Sequence, residues 1–247
     1  MPDTDLRSAY DERAKEYVYP GRPAPPSRKQ RGVIAHLPAL EGQRLLEVGC
    51  GDGPYLAWAS AQSPSGAVGV DISLRILGEA RRRVQHEGRA DPLHLAAADA
   101  IALPFPDACF DVLLASQVIE HVPDDVRALR EMRRVLRPGG RLVISTDHRD
   151  NRVSQALAAP TLAVRRLLGR TEYHPPFLHR SYGRAEFLGL LRQAGFEVLQ
   201  ACTYRFSWPP RLGRVRLLTQ LLDMLEEQAI LRHPWSEWGD IVLIVAQ

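Results

Sequence analysis

Two spacings of apolar residues alternate along this chain. Short apolar runs recur at Leu45–Val48, Ala67–Ile72, Leu93–Ala98 and Phe110–Ser116, with two more within Arg141–Thr146 and Asp240–Ala246. Runs of this length, bounded by turn residues, predict strands covered on both faces. Between them the period lengthens. Ile76, Leu77, Ala80 and Val84 share one helical face, as do Val126, Leu129, Met132 and Leu136, then Phe187, Leu190, Leu191 and Ala194. Further helices are expected at Ser8–Tyr17, Gln30–Leu40 and Tyr55–Gln62, and Gly195-Phe196-Glu197-Val198 opens another strand. Strands alternating with helices predict an α/β fold.

Three stretches break the alternation. Residues 1–31 are polar and Pro-rich from Pro20 to Pro26, and residues 148–182 and 207–238 interrupt the strand–helix rhythm. Ten of the 17 aromatic residues fall between Tyr173 and Trp238, so the later interruptions are richer in rings than the sheet.

Composition narrows the class. The chain has 247 residues, 45% hydrophobic and 25% charged, enough for one sizeable core. A net charge of +3 is too small to argue for nucleic acid. Lys15 and Lys29 are the only lysines, and the arginine runs 81–83 and 133–134 read as solvated helix faces. Cys50, Cys109 and Cys202 are scattered and odd in number, indicating neither a disulfide framework nor a zinc site, and no metal ligands are proposed. No signal peptide or long apolar span is visible, so the expected compartment is the cytoplasm.

The chemistry concentrates at Leu45–Gly53, a buried strand running into Gly49-Cys50-Gly51-Asp52-Gly53, with Pro54 placed to be the first residue of a helix. Such a turn lets a ligand approach bare backbone. The spacing is G-x-G-x-G. Pro54 stands where a dinucleotide fingerprint needs glycine, and no Lys-Ser or Lys-Thr pair follows for a P-loop. Asp71 ends the next strand about 20 residues later, where an acid can accept ribose hydroxyls. Asp99-Ala100 closes the third strand in the same way.

Glu47-Val48-Gly49-Cys50-Gly51-Asp52-Gly53 resembles motif I of the class I methyltransferases that use S-adenosylmethionine (SAM), of the small-molecule type. Asp71, Asp99 and the string Arg133-Arg134-Val135-Leu136-Arg137-Pro138-Gly139-Gly140 extend the likeness over about 43–147 and 183–206. The resemblance implies a doubly wound, seven-stranded Rossmann-like sheet of order 3-2-1-4-5-7-6 with the last strand antiparallel. It divides the chain into an arm or lid at 1–31 and a methyltransferase domain at 32–247, with cap insertions at about 148–182 and 207–238. It assigns Glu47, Gly49, Cys50, Gly51 and Gly53 to the methionine and ribose side, Asp71 and Ile72 to ribose and adenine, Asp99 and Ala100 to adenine, and Gln117 to the far wall. Tyr10 and Tyr17 match a Y-x-x-x-A-x-x-Y lid, where a ring near the sulfonium is a sensible cation–π partner.

Methyl transfer from SAM needs alignment above all, and a general base only for a protonated acceptor. His121, His148, His174 and His179 could reach the cleft, and His121 and His148 are the candidate bases. The expected reaction is methylation, at oxygen first, of a small hydrophobic metabolite, by a monomer or homodimer with no nucleic-acid partner. A lipid- or quinone-directed enzyme and a non-catalytic SAM-binding subunit are the alternatives. A nicotinamide oxidoreductase is disfavoured by Pro54. The apolar stretch Leu212–Leu231 suits burial against the cap or a dimer mate better than a membrane surface.

Overall fold

The computed structural model describes residues 3–16, 18–22, 26–87, 93–150, 179–204 and 241–247. The cap insertions therefore lie almost wholly outside the described residues, as do Tyr17, His174 and the Leu212–Leu231 stretch. In chain order the elements are α1 (Asp3–Arg13), a 3-10 turn (Ala14–Glu16), α2 (Arg28–Ile34), β1 (Arg44–Val48), α3 (Pro54–Ser60), β2 (Gly66–Asp71), α4 (Leu74–Glu87) and β3 (Leu93–Ala97). There follow β4 (Phe110–Ser116), a second 3-10 turn (Ile119–His121), α5 (Asp125–Val135), β5 (Leu136–Asp147), α6 (Arg184–Gln193), β6 (Val198–Tyr204) and β7 (Ile241–Ala246).

The seven strands form one sheet in the order β3-β2-β1-β4-β5-β7-β6, as the resemblance implied. The pairs from β3 to β5 are parallel, whereas β7 runs antiparallel to both β5 and β6. Side chains of β1 alternate between the faces, so Leu46 and Val48 join Leu113, Leu129, Met132, Phe187 and Leu191 in one apolar layer. Leu45 joins Val33, Leu56, Leu77, Val84 and Leu114 in the other. Helices α5 and α6 contribute to the first layer and α2, α3 and α4 to the second, so the sheet is covered on both sides. Each such leucine contributes about 1.5–3 kcal/mol on burial. The chain leaves β1 toward β2 and later returns past it to β4, so a crevice opens at the carboxyl ends of β1 and β4.

Three boundaries depart from the sequence pattern. Helix α1 begins at Asp3, ahead of the expected Ser8. Helix α2 stops at Ile34 instead of reaching Leu40, because Pro38 cannot extend it and disfavours helical backbone at Leu37. Leu136 is expected on the face of α5, yet its backbone is already extended (φ −81°, ψ 130°). It pairs with Phe110, and the register then shifts before Val112 meets Arg141. Gly139, at φ +71°, lets the chain bulge between those two pairings.

Candidate functional site

The carboxyl ends of β1, β2, β3 and β4 surround a cavity of about 390 Å³, a size typical of small-ligand sites. Its nucleoside-like end begins at the glycine turn. Gly49 (φ +67°) and Gly51 (φ +54°) adopt backbone that disfavours any side chain, and both line the wall. The Gly51 N–H donates to Asp71 Oδ2 (3.0 Å) and the Ser73 N–H to Asp71 Oδ1 (3.0 Å), so one carboxylate ties the turn to the end of β2. Desolvation pushes the Asp71 carboxyl up despite these hydrogen bonds. Ile72, Asp99 and Ala100 continue the wall. Asp99 Oδ1 accepts from the Ile101 N–H (3.1 Å), and Arg134 holds the following loop by donating to the carbonyls of Leu103 (2.9 Å) and Phe105 (2.7 Å).

Asp52 also lines the cavity, and Arg83 of α4 secures it by donating to both its carbonyl (2.9 Å) and its Oδ2 (2.6 Å). The arm closes over this side. Tyr19 lies over the Arg83 guanidinium (4.8 Å to the ring centroid), Arg7 Nε donates to the Ile72 carbonyl (3.1 Å), and Asp11 accepts from the Arg75 N–H (3.2 Å). Tyr10 reaches the cavity wall and meets His121 edge to face, centroids 6.1 Å apart.

Three residues of the motif stand behind the wall. Glu47 is 2% exposed and on the α3 side of β1. Its carboxylate accepts from the Leu56 N–H in the first turn of α3, a post that the N-cap Gly53 has no side chain to fill. Burial drives this carboxyl well above its ordinary range, with Asp52 and Asp71 adding to the rise. Cys50 points into the core, where its Sγ is 3.1 Å from the position a Cβ on Gly69 would take. Gly53 packs against Ala80, to which an added Cβ would come within 3.1 Å.

The other end of the cavity gathers ionisable groups. Gln117 (φ +59°), Glu120 and His121 follow β4, Asp147 ends β5, and Lys29 and His179 complete this part of the wall. His148 is not on it. That residue is 8% exposed, and its backbone is engaged in a bridge to Tyr182.

Sequence reasoning overlooked Glu120, Asp147 and Lys29 and ranked His179 low. Asp147 had a usable signal, since it ends a parallel strand as Asp71 does. His179 had no local signal. Tertiary contacts alone bring it to the wall. Glu120 accepts from Thr146 Oγ1 (3.0 Å), and burial pushes its carboxyl up to about 8. Its proton is bound more tightly in the folded chain than at the ordinary value of 4.5, so this stabilisation is complete below about pH 4.5 and lost as pH rises through 8. Glu120→Gln is therefore expected to melt near wild type at about pH 5 and several degrees above it at about pH 9. A melting difference that stays constant across that range would contradict a buried, protonated Glu120.

The residues present fit a zwitterionic nucleoside. Asp71 has acceptor capacity for ribose, and both Glu47 Oε2 and Gln117 Nε2 are buried with no hydrogen-bond partner among the described residues. Gln117 lines the cavity, so its orphaned donor suits a carboxylate there. Fold and site together define an α/β domain with a ligand crevice at the carboxyl edge of its sheet.

Residues 46–144 match the family described as Methyltransferase domain. The O-methyltransferase cnsE of Penicillium expansum is 30% identical over 224 residues, spanning 84% of this chain and 77% of that protein. The ubiquinone biosynthesis O-methyltransferase of Ralstonia nicotianae is 31% identical over 179 residues, 72% of each. Methyltransferase GfsG of Streptomyces halstedii is 42% identical over 118 residues, but the match spans only 48% of this chain and 42% of that relative. The chain belongs to the class I SAM-dependent methyltransferases. No helix among the described residues is long and apolar enough to cross a membrane.

Proposed function

We propose that this protein methylates a hydroxyl group of a small, largely apolar metabolite, with SAM as donor. The observation that carries the reading is the two-ended cavity, with ribose-type acceptors at one end and imidazoles at the other. When bound, SAM supplies an electrophilic methyl group on a sulfonium, so no further activation of the donor is required. Asp71 and Ile72 bind the ribose and Asp99 with Ala100 the adenine. The backbone of Gly49 and Gly51 admits the nucleoside closely, and Gln117 holds the amino-acid portion. Tyr10 covers the site and excludes water.

A hydroxyl acceptor is protonated at neutral pH, so a nearby base raises the rate by typically about 10²–10⁴-fold. His121 and His179, with ring centroids 5.2 Å apart, stand where that proton leaves. The names of the Penicillium and Ralstonia relatives support oxygen as the methylated atom, and the ubiquinone relative supports an apolar ring system. The aromatic content of 173–238 fits the same acceptor class.

The test is methyl transfer by the purified protein from SAM to a panel of phenols, aliphatic alcohols and amines, with products located by mass spectrometry. Micromolar binding of S-adenosylhomocysteine (SAH) and methylation at oxygen are expected. Transfer to amines alone would overturn the hydroxyl reading, and a folded protein that ignores SAH would overturn the donor assignment.

A further inference from the structure

The acceptor end of the cavity is built partly by residues 179–182, a strip that runs beside the end of β5. Its backbone is pinned on both sides. The Arg180 N–H donates to the Glu120 carbonyl (2.8 Å), and the Tyr182 N–H donates to the Asp147 carbonyl (3.1 Å). The Arg180 guanidinium donates to Asp125 Oδ2 (3.1 Å) and the Pro123 carbonyl (2.8 Å), closing the strip onto the loop after β4. These bonds leave His179 little choice of position. Its Nε2 lies 3.1 Å from Asp147 Oδ2, and its ring meets His121 at 60°.

We propose that Asp147 and His179 are the proton-accepting pair of the methyl transfer, with His179 as base and Asp147 as the residue that fixes its tautomer. The inference rests on the hydroxyl-acceptor reading. With Nε2–H turned to the carboxylate, Nδ1 is the basic nitrogen of the ring. The acceptor O–H bond breaks toward Nδ1 as the oxygen–methyl bond forms and the methyl–sulfur bond breaks. The sulfur keeps that electron pair, and the proton later passes from the imidazolium to water. Atoms and charge balance without an oxidant or a second cofactor. Asp147 is the suitable carboxylate because Glu120, buried and bonded to Thr146, holds its own proton at neutral pH. His121, packed edge-on between Tyr10 and His179, shapes the wall that brings the hydroxyl to this pair.

Two readouts on the full-length protein test the pair. The first needs no acceptor: long-range proton–nitrogen spectra of ¹⁵N-histidine-labelled protein saturated with SAH, with the His179 signal assigned by its loss in His179→Gln. The Nε2–H tautomer is expected for His179, becoming a mixture in Asp147→Asn. A tautomer indifferent to Asp147→Asn overturns the proposal. The second compares a phenol with thiophenol, whose sulfur is already ionised at neutral pH. His179→Gln should lower kcat on the phenol by about 10²–10³-fold and on thiophenol by less than about threefold. Equal losses on both overturn a role as base. A wild type that binds SAH yet methylates no hydroxyl overturns the hydroxyl reading and the base with it, whatever the tautomer.

Discussion

Asp71→Ala is expected to weaken SAH binding by on the order of a hundredfold or more, measured by calorimetric titration. Two effects combine. In the proposed binding mode the carboxylate accepts the ribose hydroxyls, and hydrogen bonds to a charged group contribute about 1.5–3 kcal/mol each. It also receives the N–H groups of Gly51 and Ser73, so its removal frees the glycine turn from the end of β2. Asp71→Asn separates the two, since its amide oxygen can still accept while the negative charge is gone. An intermediate affinity is expected for it. Should Asp71→Ala bind SAH within about threefold of wild type, the ribose does not sit at the end of β2.

Gly49→Ala is expected to damage both folding and binding. At φ +67° a side chain strains the backbone, and an added Cβ would lie 2.3 Å from Val118 Cγ2. The left-handed backbone costs about 1–2 kcal/mol and overpacking about 1–3 kcal/mol. A melting temperature lower by on the order of 10 °C follows for a chain of this size, together with loss of SAH binding, because Gly49 and Val118 both line the cavity. Adding Val118→Ala should recover the steric part of the loss and leave the backbone part. If Gly49→Ala melts with wild type, the turn has room that this geometry denies it.

The sheet was readable because parallel, doubly covered strands write themselves as apolar runs. Phe110–Ser116 is buried almost throughout, and its bounds were legible to the residue. Helix ends were less legible because they depend on backbone state. Leu136 is apolar in either element, and its extended conformation is decided by pairing with Phe110. At the site, strand-end acids and glycines could be placed because their positions follow from topology. Glu47 shows the limit: its place in the motif implied a ligand contact, while strand parity turns it toward α3. His179 shows a different limit. Its position follows from bonds between residues some 60 apart in sequence, including Arg180 to Glu120 and Tyr182 to Ile119, and no local pattern encodes such pairing.

Strand β7 lies between β5 and β6, yet it follows β5 by about a hundred residues of chain, a separation of the kind that slows folding. Until β7 arrives, β5 presents an open edge, and Val143 and Ile144 lack the cross-strand partners Val245 and Ile244. The parallel half of the sheet, from β3 to β5, carries the strand ends that surround the cavity and can assemble before that insertion. Refolding should thus produce an early state with a nearly formed ligand crevice and a sticky rim. Ligand present at that stage would favour the productive route by mass action, and a chaperone would have one particular edge to shield.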